Sequence, residues 1–96
     1  MEINELRDGQ VKVNVLGMIT ETHEPRTVNL RAGGEARVAD FQLMDASGQI
    51  KLVLWDEQAD DIKKGDRLKI LNGYVTSFRG ELALSVGRYG KLEKVV

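Results

Sequence analysis

Residues 49–55, Gln-Ile-Lys-Leu-Val-Leu-Trp, set Ile50, Leu52 and Leu54 against Lys51, Val53 and Trp55 at every second position. A period of two belongs to a β-strand with one face in a core, because successive side chains leave a strand on opposite sides. Asp45-Ala46-Ser47-Gly48 stands just before it and has the residue types of a hairpin turn. Ahead of that turn, over about 36–44, Ala39, Phe41 and Leu43 share one face and Val38, Asp40 and Gln42 the other. Two alternating runs joined by a tight turn commit the chain to β-architecture.

The remaining segments read the same way. Ile3 and Leu6 anchor a short turn over 3–8, closed by Asp8-Gly9. Residues 11–19 form a strand whose alternation is expected to slip at Gly17, where a bulge or bend would let one strand serve two sides of a barrel. Residues 21–35 hold the only Pro, the only His and Gly33-Gly34, and are expected to be a loop. Residues 57–62 suggest one or two helical turns through Ala59 and Ile62, ended by Lys64-Gly65-Asp66. A strand over 67–75 buries Leu68 and Ile70, and a break of phase at Asn72-Gly73 turns Tyr74 outward. After a loop at 76–80, a strand over 81–86 points Leu82, Leu84 and Val86 inward and Glu81, Ala83 and Ser85 outward, and 87–96 is a basic tail. The predicted fold is all-β, a five-stranded Greek-key OB-fold barrel with a short helix between the third and fourth strands, forming one domain over 1–96.

Composition narrows the chemistry. With 96 residues, 42% hydrophobic and 30% charged, the chain has enough apolar material for one core. It has no Cys, which removes disulfides and thiol chemistry. No run of about 18 apolar residues is present and the first residues lack a secretion signal, so no membrane association is expected. The expected location is the cytoplasm, or the nucleus in a eukaryote. His23 lies between Glu21 and Glu24 with no nucleophile nearby, and Asp40 and Asp45 lack metal-loop spacing. Neither catalysis nor a cofactor, metal or small-molecule substrate is expected.

The aromatic residues carry the functional signal. Trp55, Tyr74 and Phe78 all fall where strands end, with Arg79 beside Phe78. Rings on a rim offer flat faces to unpaired bases, although Trp55 also fits a barrel plug and Phe78 a lid on the core. The net charge of −1 is unlike the basic balance common among nucleic-acid binders. However, Asp56, Glu57, Asp60 and Asp61 cluster in one segment, which could leave another face positive.

The run Asp45-Ala46-Ser47-Gly48-Gln49-Ile50-Lys51-Leu52-Val53-Leu54-Trp55-Asp56 resembles the Asp-x-x-Gly-x-Ile-x-Leu-x-Leu-Trp pattern of archaeal and eukaryotic simple single-stranded DNA-binding proteins. Ile62-Lys63-Lys64-Gly65-Asp66, Gly73-Tyr74, Phe78-Arg79-Gly80 and Gly87-Arg88-Tyr89-Gly90-Lys91-Leu92 continue the likeness over about 3–94. The chain is also similar to OB domains of archaeal replication protein A. The resemblance implies that Trp55, Tyr74 and Phe78 stack on bases of single-stranded DNA, in replication, repair or recombination. Lys51 and Arg79 are then candidates for phosphate, as are Arg37, Arg88 and Lys91, and Tyr89 for a further stack. Two departures stand out: Ser85 occupies a position that is aromatic in some relatives, and Asn72 one that can be basic. Both imply weaker binding. The expected partner is single-stranded DNA, with other replication or repair proteins or further OB domains beside it. The alternatives are an OB domain serving as a protein-interaction module, and single-stranded RNA binding.

Overall fold

A computed structural model describes residues 1–95, apart from the side chains at positions 78, 87 and 88. Six strands follow in chain order: β1 (Val11–Thr22), β2 (Arg26–Asn29), β3 (Glu35–Asp45), β4 (Gly48–Trp55), β5 (Arg67–Phe78) and β6 (Glu81–Val95). Single 3-10 turns at Ile3–Glu5 and Asp56–Ala59 complete the described elements. The strand order β1-β5-β6-β4-β3-β2, with a further β1–β3 pairing, closes five strands into a barrel and leaves β2 on the outer edge of β3. All ladders are antiparallel except β4–β6, which is parallel over Lys51–Val53 and Ala83–Ser85. The predicted OB barrel is the observed one.

Closure depends on β1. Its first part pairs with β5 as far as Met18↔Arg67, and its last part pairs with β3 from Met18↔Met44 onward. The alternation does not slip at Gly17 as expected: Val13, Val15, Gly17 and Ile19 are all buried in sequence. The register shifts lie instead at Val11/Val13, Val13/Val15 and Ile19/Glu21. Gly17 has a different task. A Cβ there would sit 2.8 Å from Leu43 Cγ and 2.9 Å from the Met44 carbonyl oxygen, so only glycine lets β1 cross onto β3 this closely.

The core holds the inward residues of the strands: Val13, Val15 and Ile19; Ala39, Phe41 and Leu43; Ile50, Leu52 and Leu54; Leu68, Ile70 and Val75; Leu84 and Val86. Ile3 and Leu6 close one end. The Asp45 carboxylate fastens that closure to the β3–β4 turn. The Ile3 N–H donates to its Oδ2 at 2.9 Å, while the Ser47 hydroxyl (2.6 Å), Ser47 N–H (2.8 Å) and Gly48 N–H (3.1 Å) donate to Oδ1. Burial pushes the Asp45 carboxyl up, but the donors outweigh it and hold the group below the usual carboxylate range.

Four expectations are corrected. The 21–35 loop contains β2, which pairs with β3 from Arg26↔Val38 to Asn29↔Glu35 and turns back through Gly33-Gly34. The helical turns at 57–62 shrink to one 3-10 turn at Asp56–Ala59. The 76–80 loop is mostly strand, since β5 runs to Phe78 and only Arg79 and Gly80 turn, both at positive φ. The 87–96 tail is strand to Val95, where β6 pairs with Arg67–Leu71 of β5. Three of the four corrections are segments whose strand state comes from a pairing partner rather than from their own pattern.

Two outcomes follow. Gly17→Ala should lower unfolding stability by about 1–3 kcal/mol, the usual range for overpacking, read as a shift of the urea midpoint. An unchanged midpoint would show that the β1–β3 contact opens freely. Asp45→Asn should cost about 1–3 kcal/mol at neutral pH, the loss expected for hydrogen bonds to a charged acceptor. Because the folded pKa is lowered, that contribution is complete above the unfolded pKa and fades as pH falls through the folded one. Wild type and variant should therefore converge in stability in acid.

Candidate nucleic-acid interface

The outward residues of four strands meet on one side of the barrel. In the β3–β4 ladder, Val38 pairs with Trp55, Asp40 with Val53 and Gln42 with Lys51, and residues directly opposite share a face. Across the parallel seam Lys51 meets Ala83 and Val53 meets Ser85, and on β5 Tyr74 meets Ser85 and Thr76 meets Ala83. The resulting groove, about 280 Å³, is lined by Trp55, Val53, Lys51, Ser85, Ala83, Glu81, Tyr74, Thr76, Asp40 and Arg26. Small side chains at Ala83 and Ser85 make its floor, and Ser85 is only 5% exposed. Two strand spacings, about 9–10 Å, separate the backbones that carry Trp55 and Tyr74.

Tyr74 reaches this face because of a bulge. Leu68 and Ile70 point inward, and uninterrupted alternation would send Tyr74 inward too. The β5–β6 register shifts between Leu71 and Gly73, with Asn72 at φ 57°, so Gly73 and Val75 take the inward positions and Tyr74 turns out. Asn tolerates this left-handed conformation better than most residues. The Asn14 side chain accepts the Asn72 N–H at 3.0 Å, and the Asn72 amide donates to the Tyr89 carbonyl at 3.4 Å. On the facing strand, a Cβ at Gly90 would lie 2.8 Å from the Leu71 carbonyl oxygen, so glycine there makes room for the bulge.

Trp55 is the last residue of β4 and is 37% exposed. The chain turns sharply after it, since Asp56 has φ 49°. The Asp56 carboxylate accepts the Arg37 N–H at 2.9 Å, and the Arg37 guanidinium pairs with Asp60 at 3.0 Å. Arg37 is thereby tied to the segment that follows Trp55 and does not line the groove.

The other expected residues divide. Lys51 lines the groove, its Nζ 3.4 Å from Glu81 Oε2. Arg79 occupies the turn between β5 and β6 with φ 54°. Tyr89 is on β6 and 80% exposed, away from the groove lining. The backbone of Phe78 pairs with Glu81 at the end of β5, while its side chain lies outside the described residues, as does that of Arg88.

Sequence reasoning missed Arg26, Asp40 and Glu81 as groove residues. Arg26 Nη1 lies 3.1 Å from Asp40 Oδ2, so each cation named in the groove already faces a carboxylate there. The signal for Arg26 was the β-branched pair Thr27-Val28 opposite Ala36-Arg37, ahead of two glycines. A larger cavity, about 670 Å³, lies on the other side of Trp55 and is lined by Asp56, Glu57, Asp60 and Asp61 with Lys94. Four carboxylates would repel a phosphate chain, so the groove is the better candidate.

Residues 7–94 match the family described as single-stranded DNA binding protein Ssb-like, OB fold. The chain belongs to this family. It is 30% identical over 91 residues to the single-stranded DNA binding protein Ssb of Saccharolobus solfataricus, covering 95% of this chain and 61% of that protein. It is 34% identical over 88 residues to replication factor A of Methanothermobacter thermautotrophicus, covering 91% of this chain and 11% of that protein. The chain therefore spans less than two thirds of either relative. The second OB-fold domain of replication protein A from Methanococcus maripaludis shares the fold, with a TM-score of 0.83 at 24% identity, covering 99% of this chain and 93% of that one.

Proposed function

We propose that this Ssb-like OB domain binds single-stranded DNA with little sequence preference, in replication, repair or recombination. The observation that carries the reading is the groove itself: Trp55 and Tyr74 flank a floor of Ala83 and Ser85, with Lys51 and Arg26 at hand for phosphates. Every base has a π-face, so stacking on two such rings is indifferent to sequence, at about 1–3 kcal/mol per base. Paired strands hide those faces, which sets the groove against duplex. The site should cover about 4–16 nucleotides, the range for one OB fold. Phe78, Arg79, Arg88 and Tyr89 are proposed as further DNA contacts on the family likeness alone. Membership in the Ssb-like family supports the reading, as does the likeness to the single-stranded DNA binding protein Ssb. Other replication or repair proteins, or further OB domains, are proposed as partners on the same grounds.

Trp55 is the only tryptophan, so its fluorescence reports directly on the groove. Single-stranded oligonucleotides should quench it at low salt, duplex should not, and log K should fall by about 0.7 per phosphate contacted for each unit of log salt. Trp55→Ala and Tyr74→Ala, the former followed by the mobility of a labelled strand, should each weaken binding by about 1–3 kcal/mol. Unchanged fluorescence at saturating single strand, with no complex by mobility, would refute the reading.

The Glu81 carboxylate beside Lys51 competes with phosphate for the ammonium. Glu81→Gln should tighten binding to every single strand and steepen the salt dependence, as one more cation becomes available. Equal affinity and slope in the two proteins would show that Lys51 makes no phosphate contact.

A further inference from the structure

Two strands turn an apolar side chain outward at the same place, and each uses a bulge to do it. On β5 the bulge at Asn72 brings out Tyr74. On β1 the ladder runs Val11↔Tyr74 and then Val13↔Gly73, so two steps on β1 answer one on β5. Lys12 is the extra residue, with φ 56°. Val13 is 4% exposed, and strict alternation would turn Val11 inward with it. Val11 is instead 67% exposed and stands directly opposite Tyr74, and residues so paired share a face. A single exposed apolar residue is ordinary and needs no reason. Here, however, a lysine holds the left-handed backbone that glycine, asparagine and aspartate adopt more readily, and the result is a valine withdrawn from the core. Bulges that re-aim side chains, and backbone held outside its common range, both gather at binding sites.

Val11 prolongs the groove. The outward row runs Val11, Tyr74, Ser85, Val53, from β1 across β5 and β6 to β4. It carries the surface from two strand spacings beyond the Trp55 backbone to three, about 14–15 Å. Lys12, exposed at the bulge, belongs to none of the described ion pairs, whereas Lys51 and Arg26 each face a carboxylate. An apolar side chain beside an unengaged cation suits a nucleotide, which brings an apolar base or sugar face together with an anionic phosphate. We propose that bound single-stranded DNA does not end at Tyr74 but passes onto β1, where Val11 packs against the next nucleotide. This inference rests on the single-strand reading and moves one border of the site onto a strand that does not line the groove.

The chain has no cysteine, so Val11→Cys places a single thiol at the point in question. Leu16→Cys is the control, since Leu16 is 56% exposed on the same strand, opposite Lys69, and roughly 15 Å farther along. Each variant is saturated with an oligodeoxythymidine of about 16 nucleotides, the upper end for one OB fold. Saturation is read from Trp55 fluorescence and mobility, and alkylation of the thiol by uncharged N-ethylmaleimide is then timed. The bound strand should slow alkylation several-fold in Val11→Cys and leave Leu16→Cys unchanged. Val11→Ser should weaken binding about four-fold or more, the worth of burying one methylene. Equal alkylation of Val11→Cys with and without the strand, equal slowing at both positions, or wild-type affinity in Val11→Ser overturns the inference while single-strand binding stands. No complex with the wild type overturns both.

Discussion

Everything on the outside of this barrel depends on β1 being shared. One strand hands over from β5 to β3 at Met18, and only a glycine at position 17 lets it come within contact of Leu43 and the Met44 backbone. Once the sheet is closed, each strand must put its apolar set inside, and the register between neighbours is fixed with it. Fixed register aligns Val53, Ser85 and Tyr74 in a row across three strands. The groove is the outer imprint of the core.

The groove departs from that rule at one place, and the departure is functional in form. The bulge at Asn72 inverts the parity of β5 midway, giving Gly73 and Val75 to the core and Tyr74 to the surface. Such bulges re-aim side chains at the cost of a ladder bond. Here the loose ends are taken up by Asn14 and by the Tyr89 carbonyl. The surface it helps to build is electrically mixed, with Lys51 facing Glu81 and Arg26 facing Asp40. Stacking, which ignores charge, suits such a surface better than a purely phosphate-driven mode.

Much of this was legible in the residues. The β3–β4 hairpin was, because period-two alternation and the Asp45–Gly48 turn are local signals. Tyr74 was also, because Asn72-Gly73 marks a break of phase. What escaped depends on pairing partners rather than on local pattern. Arg26–Asn29 is too short to announce itself, and is a strand only because β3 extends beyond the barrel to meet it. Residues 87–95 have glycines at 87 and 90 and read as coil, yet β5 pairs with Lys91–Val95 and holds that part in line. The groove carboxylates were hidden for the same reason, since no local pattern tells which cation will stand across from Asp40 or Glu81.

The parallel ladder between β4 and β6 spans only three residues on each strand, and its outward side chains form the middle of the groove. Parallel pairing is slightly weaker per residue than antiparallel, so this is where the barrel wall is most thinly stitched. A nucleic acid lying from Trp55 to Tyr74 would cross that seam and press on both of its sides. The ligand would then be a brace as well as a cargo, and the domain would be stiffest while it is occupied.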